Sequence, residues 1–475
     1  MGDVEARGGA RRRDVLRLGA VAGAVAATGG GLLPGASAAR ADTVGSGPGA
    51  PVLPGATAST TGAAAAHDWV RTAYRAVLLE NLTPPTAARA YAHTALAMYE
   101  AAVDGMPHHR SLAGSVQGLI ARPGPTAAVG RGQLDWSVAL STAARDLLAA
   151  LLPHRNPLTR PLLHGAHAAV VDGRRRAGST SGLVVDSERH GAAAAARVIG
   201  RALADGHAGT VGRAYTPPSD QPWHWVSTPP NFRPAIEPYY AEVRPFLLRS
   251  PDEVEAAPTV PFSTEPGSPF HAEAMAVLQQ SIDNTDADRA TARFWTDNPG
   301  SFTPPLGTAT GLPAGHWMRI ASQAAEQRGL PLDLTLEALV RLGLTTADAF
   351  LACWTVKYRT NLLRPVTYIN RWISPGWVSW VNTPQFPEHT SGHSVASAAA
   401  AVVLTDVLGV HPFVDDTQAI LGMPARTFAS FGAAAAEAAR SRLLGGIHYP
   451  WGIEAGLDQG RRLGELAVDR LRTRR

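Results

Sequence analysis

An all-α fold is predicted by three features of the sequence. Alanine-rich stretches with larger apolar residues at helical spacing are many, strand signals are sparse, and 45% hydrophobic residues in a 475-residue chain suffice to bury a large core. That length holds two or three domains' worth of chain, or one large helical domain. No stretch after residue 64 has a linker's composition and no segment repeats, so the expectation is a single all-α domain over residues 65–475.

The N-terminus has a different character. Arg11-Arg12-Arg13-Asp14-Val15-Leu16-Arg17 is followed by a short, mildly apolar run, a glycine cluster and small residues ending at Ala39-Arg40-Ala41. A charged region, a short apolar stretch and a small-residue site describe a removable export signal over 1–41, too short and weakly apolar to span a membrane. The paired arginines, with Val15 and Leu16 close behind, resemble the twin-arginine signal. An extracellular or cell-envelope location is therefore expected. No later run of about 18 or more apolar residues stands out, so no integral membrane segment is expected in the mature chain. Residues 42–64 are Gly, Ala, Pro, Ser and Thr with almost no large apolar side chains, the composition of a flexible linker.

The sequence pI of 9.4 invites a nucleic-acid reading. Six arginines against Asp3, Glu5 and Asp14 within residues 1–41 account for most of the formal charge of +4, however. The remainder is too close to neutral for a phosphate-tracking surface, and no nucleic-acid partner is expected. Cys353 is the single cysteine, so no internal disulfide is available and its expected role is packing.

From His67-Asp68-Trp69 onward, apolar spacing predicts a helix interrupted at Pro84-Pro85, a second over 89–103, and others over 132–152, 156–176 and 185–204. Residues 209–268, rich in Pro, Trp and Tyr, predict an ordered but irregular connection. Helices are expected again at 270–284, 288–295 and 313–328, then a long one over 334–363 capped by Asp333. Further helices at about 392–409, 416–422, 425–444 and 452–472 complete a C-terminal bundle over 334–475, with the N-terminal helices packed round it.

The long helix carries Trp354-Thr-Val-Lys357-Tyr-Arg-Thr-Asn361-Leu-Leu-Arg364-Pro365, and Lys357 is the only lysine in the chain. A lone lysine among arginines suits a place where a compact ammonium is needed and a planar fork is not. At seven residues' spacing, Lys357 and Arg364 are expected on one helical face, with Pro365 ending the helix. Two cations beside a helix end suggest half of an oxyanion site, although a solvated basic face has the same pattern. A second stretch, Phe386-Pro387-Glu388-His389-Thr390-Ser391-Gly392-His393-Ser394, runs into an apolar helix. Ser391 and Gly392 at a helix start offer free N–H groups and a hydroxyl to an anion, and His393 is placed for proton transfer. A third, Arg440-Ser441-Arg442-Leu-Leu-Gly-Gly-Ile-His448-Tyr-Pro-Trp-Gly452, ends one helix on Arg442 and sets His448 before the next.

Lys357/Arg364-Pro365, Ser391-Gly392-His393 and Ser441-Arg442/His448, in that order, resemble the signature motifs shared by the type 2 phosphatidic acid phosphatases and the vanadium-dependent haloperoxidases. The resemblance implies an oxyanion pocket made by Lys357, Arg364, Ser391, Gly392 and Arg442. It implies His448 as the axial group, a vanadium ligand or a phosphoryl-accepting nucleophile. His393 is then the acid/base and Lys357 the residue that polarises bound peroxide. Trp354 and Phe386 match positions lining the halide site in haloperoxidases of the chloroperoxidase type, and His389 adds an imidazole beside them. Asp297 matches loosely an acid that pairs with the last motif's arginine.

The implied enzyme is a vanadate-dependent haloperoxidase, with vanadate as cofactor and phosphate able to compete for its site. Its partners are hydrogen peroxide, halide and a small organic substrate, and a homodimer is compatible with the resemblance. The alternative is a secreted acid phosphatase using a phosphohistidine on the same scaffold. One departure stands out. Phosphatase-like third motifs place Asp four residues after the histidine, where this chain has Gly452. His448 needs another partner, for which Glu454 or a backbone carbonyl are the candidates.

Overall fold

The computed structural model describes residues 57–121, 134–230, 232–297 and 312–475, and 13 α-helices run through them. Two helices form the centre. Leu332–Thr360 is buried along nearly its whole length, and Gly392–Leu408 is enclosed on all sides over its first turns. Both are rich in apolar residues, as suits a helix within a core. Leu332–Thr360 is long and apolar enough to cross a membrane, contrary to the expectation that no such run follows the N-terminus. Its apolar window is 94% buried inside the fold, so its composition answers to the protein core. Pro84–Ala102 packs along this helix, and Trp136–Leu151 and Ser181–Leu203 pack on that layer in turn. The expected irregular connection holds as ordered chain; Asp348 on the long helix accepts the backbone N–H groups of Phe246, Leu247 and Leu248 at 2.7–2.9 Å.

The last helix, Pro450–Arg470, makes the most extensive contact with Gly392–Leu408. Glycines at 452, 456, 460 and 464 lie one turn apart and form a groove on one face. A Cβ at Gly464 would lie 2.7 Å from the Val402 Cβ, and one at Gly460 would overlap the Val395 carbonyl. The two helices therefore meet backbone to backbone.

Several boundaries differ from expectation. The export signal and the linker up to residue 56 lie outside the described residues. The linker's remaining residues, 57–64, are ordered: Ala58–Thr60 is a 3-10 turn with Ala58 buried, and Ser59 Oγ donates to Asp333 Oδ2 at 2.6 Å. Asp333 thus lies in the first turn of the long helix while Pro331 is its N-cap. At the other end, Asn361 takes a left-handed conformation (φ 44°) and stops the helix at Thr360. Arg364 is instead the N-cap of a separate helix, Pro365–Trp372. Lys357 and Arg364 therefore do not share a helical face; proline keeps the residue before it out of the helical region and itself opens the next helix. The helices expected at 416–422 and 425–444 are partly replaced by an antiparallel pair, Phe413–Asp415 with Arg426–Phe428, around a 3-10 turn at Thr417–Leu421. Asp415 Oδ1 accepts the Thr417 N–H at 2.9 Å, an Asx-type turn that competes with helix. The following helix starts at Phe431 on a Ser430 cap.

This hairpin is tied to the core by a buried ion cluster. His316, fully buried, bonds Asp297 Oδ2 through Nδ1 and Asp415 Oδ2 through Nε2, both at 2.8 Å. Burial alone would lower its pKa, but the Asp297 and Asp415 carboxylates outweigh that and raise it to about 10. A raised pKa contributes stability fully below the free value of about 6.5, and that contribution is lost as pH climbs toward 10. The melting temperature should therefore fall between pH 7 and 10, and the His316→Gln variant, less stable at pH 7, should show a flatter profile in a thermal melt series. Gly460→Val should lower stability by about 1–3 kcal/mol or more in urea unfolding, because the side chain must displace backbone.

Candidate active site

Each motif sits at the end of a helix. Lys357 is in the last turn of Leu332–Thr360, and Arg364 follows the Asn361 turn. Ser391 caps Gly392–Leu408, its Oγ accepting the Ser394 N–H at 3.3 Å. Arg442 is in the last turn of Phe431–Leu444, and Gly446 (φ 75°) supplies the left-handed turn that brings His448 back to the site. With the Ser391 and Ser394 N–H groups engaged, those of Gly392 and His393 have no partner within the helix, which leaves them for a ligand.

The three cations are completely buried. Lys357 Nζ donates to the carbonyls of Pro387 (3.0 Å), Glu388 (2.9 Å) and Thr390 (2.5 Å). Arg364 donates Nε to Phe386 O at 2.8 Å and Nη1 to Ile447 O at 2.9 Å, and Nη1 also reaches His448 Nε2 at 3.0 Å. Arg442 donates Nη2 to Trp295 O at 2.6 Å and Nε to Ser441 Oγ at 2.9 Å. One nitrogen of each arginine, Nη2 of Arg364 and Nη1 of Arg442, is buried without a partner. His393 is bonded to the Trp295 carbonyl, and its Nε2 has no partner.

Burial dominates the titration of these groups. It lowers Lys357 to about 7, with Arg364 adding to the shift, and lowers Arg364 and Arg442 to about 10. Burial, then the neighbouring cations, pushes His393 and His448 well below the ordinary histidine value, so both imidazoles are neutral at pH 7. Burial raises Glu388 to about 7.

Beside the histidines lies a small pocket, partly open to solvent, lined among others by Pro84, Trp354, Phe386, Gly392, His393 and His448. The Trp354 and Phe386 rings are 4.8 Å apart and form its aromatic wall. His389, expected beside them, is not in that lining; its Nε2 bonds the Ala257 carbonyl at 2.9 Å, and burial lowers its pKa to about 4. Asp297 does not hydrogen-bond Arg442 among the described residues. It is engaged by His316 and by Gln418 Nε2 (2.9 Å), and acts on Arg442 only as a nearby charge. Lys357, expected to donate to the anion, has all three ammonium hydrogens committed to carbonyls, so it contributes its charge through space.

Neither candidate partner of His448 is used. Glu454 is exposed, and His448 Nδ1 instead meets Glu388 Oε1 at 2.8 Å. Sequence reasoning missed Glu388 although it stands inside the second motif, three residues before Ser391. The signal was the unexplained Gly452, which pointed to an acid from elsewhere.

A tetrahedral oxyanion with vanadium bound to an imidazole fits these residues. Unpartnered donors on Arg364 and Arg442, the start of the Gly392 helix and the neutral imidazoles belong to one cationic centre, and no carboxylate is among the described residues that line the cavity.

The VCPO second helical-bundle domain model matches residues 337–475. No curated protein matches the chain. Among solved structures, the first bacterial vanadium-dependent iodoperoxidase is 33% identical, with a TM-score of 0.80 over 89% of this chain and 98% of that one. Apo and holo forms of a bacterial vanadium-dependent chloroperoxidase share the fold at 15% and 16% identity, each with a TM-score of 0.58. They cover 82% and 83% of this chain, and 95% and 93% of their own. With all three motifs represented by buried residues in and beside this site and a relative this similar over nearly its whole length, the chain belongs to the vanadium-dependent haloperoxidase family.

Proposed function

We propose that this protein is a vanadate-dependent haloperoxidase that oxidises halide with hydrogen peroxide to hypohalous acid, which halogenates small organic substrates. The observation that carries the reading is that His393, His448 and the Trp354–Phe386 wall line one pocket, with Arg364 bonded to His448 behind it. The iodoperoxidase at 33% identity supports iodide as the first halide to test. Iodide and bromide are weakly hydrated, and aromatic edges suit them better than they suit a strongly hydrated anion.

His448 would hold vanadate through Nε2, while Arg364, Arg442, Ser391 and the Gly392 N–H would bind its oxygens. Bound vanadate would supply Lewis acidity at constant oxidation state. His393 is neutral with Nε2 free, so it can take a proton from an arriving peroxide and return it to the departing oxygen. The overall reaction consumes halide, peroxide and one proton and yields hypohalous acid and water. An anion bound beside Lys357 would favour its charged form, offsetting the burial that lowers its pKa to about 7, without taking it from its carbonyls.

Purified protein given orthovanadate, peroxide and iodide or bromide should halogenate a phenol-type dye, with p-nitrophenyl phosphate turnover measured in parallel. Vanadate-independent phosphate release with no halogenation at any vanadate level would favour the phosphatase reading instead. His448→Ala should abolish activity, and His393→Ala should lower kcat by roughly 10²–10⁴-fold, the usual contribution of a positioned acid/base. Lys357→Arg should also lose activity despite keeping the charge.

A further inference from the structure

We propose that Glu388 is the positioning residue of His448, with Gly452 as the opening that admits it, so that the orienting acid comes from the 386–390 loop instead of the last helix. The inference rests on the proposed role of His448 and deepens it.

Two hydrogen bonds fix the imidazole. Arg364 Nη1 approaches Nε2 at 3.0 Å. A guanidinium can only donate, so Nε2 carries a lone pair and the proton is on Nδ1. That proton is donated to Glu388 Oε1 at 2.8 Å. The same oxygen accepts the Tyr449 N–H at 3.2 Å, so the carboxylate is anchored by the residue next to the one it orients. Glu388 is completely buried, and its carbonyl also accepts from Lys357.

Gly452 decides where the acid can come from. A Cβ there would overlap Glu388 Oε1 and lie 2.9 Å from Oε2 and 3.0 Å from Cδ. Any side chain at 452, the aspartate of phosphatase-like motifs included, would have to push the Glu388 carboxylate out of its present place. Acids at 388 and 452 are therefore alternatives for a single place beside Nδ1. Leaving Nδ1 without an acceptor would free the ring to turn and to change tautomer.

The test uses Glu388→Ala, Glu388→Gln, Gly452→Asp and the double variant Glu388→Ala/Gly452→Asp, with circular dichroism to check folding. The ¹⁵N shifts of His448 in ligand-free protein, assigned by difference with His448→Ala, report the tautomer. Titration calorimetry with orthovanadate and with inorganic phosphate reports anion affinity. The parent should show a Nδ1-protonated ring. Glu388→Ala should lose that single tautomer and bind vanadate about 10–100-fold more weakly. Glu388→Gln, which keeps an accepting oxygen, should retain the tautomer with a smaller loss. Gly452→Asp alone should weaken binding, and the double variant should recover most of it. Parental His448 shifts and vanadate affinity in both Glu388→Ala and Glu388→Gln would overturn the proposal. If Glu388→Ala does not fold, Glu388→Gln and the double variant decide it. A parent that binds neither anion would sink the vanadate reading, while the His448 shifts would still decide the role of Glu388.

Discussion

Placing Lys357, Arg364 and Arg442 in one fully buried centre costs several kcal/mol per ion unless each is compensated. Most of their direct hydrogen bonds go to backbone carbonyls: Pro387, Glu388 and Thr390 for the lysine, Phe386 and Ile447 for one arginine, and Trp295 for the other. Carbonyl dipoles stabilise a cation without cancelling its charge, so the centre stays electropositive toward an anion. The same requirement explains why so much irregular chain is ordered here. The 386–390 loop and the turn at Ile447 have the conformations that aim carbonyls inward, and the helices on either side hold them there.

Most of the helices and the cations, histidines and Ser-Gly pair of the three motifs were legible in the sequence, because residue type and spacing constrain both. What was not legible depended on tertiary partners. The spacing of Lys357 and Arg364 fitted one helix, but the Asn361 turn and Pro365 split it in two. The hairpin at 413–428 carries too few residues for a strand pattern to show. His389 stands next to the site in sequence and turns away to the Ala257 carbonyl, whereas Glu388, one residue earlier, turns in. The glycines spaced by four in the last helix were visible, yet only the facing backbone at Val395 and Ala399 gives them a meaning.

The cavity combines features that seldom coincide. Its aromatic wall comes from Trp354 and Phe386, which pack on each other while Lys357 Nζ and Arg364 Cζ lie 5.0 and 4.9 Å from the Phe386 ring centre. The ring face thus meets cations. Two neutral imidazoles complete it, each with one nitrogen bound to a fixed acceptor. Behind Trp295, the His316 cluster stacks on the indole at 4.6 Å and so steadies the residue whose carbonyl serves both His393 and Arg442.

The solitary lysine acquires a geometric explanation from its three carbonyl partners. An ammonium nitrogen is tetrahedral, and its hydrogens diverge as a tripod that three carbonyls can meet from below. A guanidinium is trigonal and confines its donors to one plane, where three oxygens gathered under a single atom cannot all be reached. Arginine serves at every other basic position of the chain. The one exception to that uniformity thus records the hybridisation of a single nitrogen.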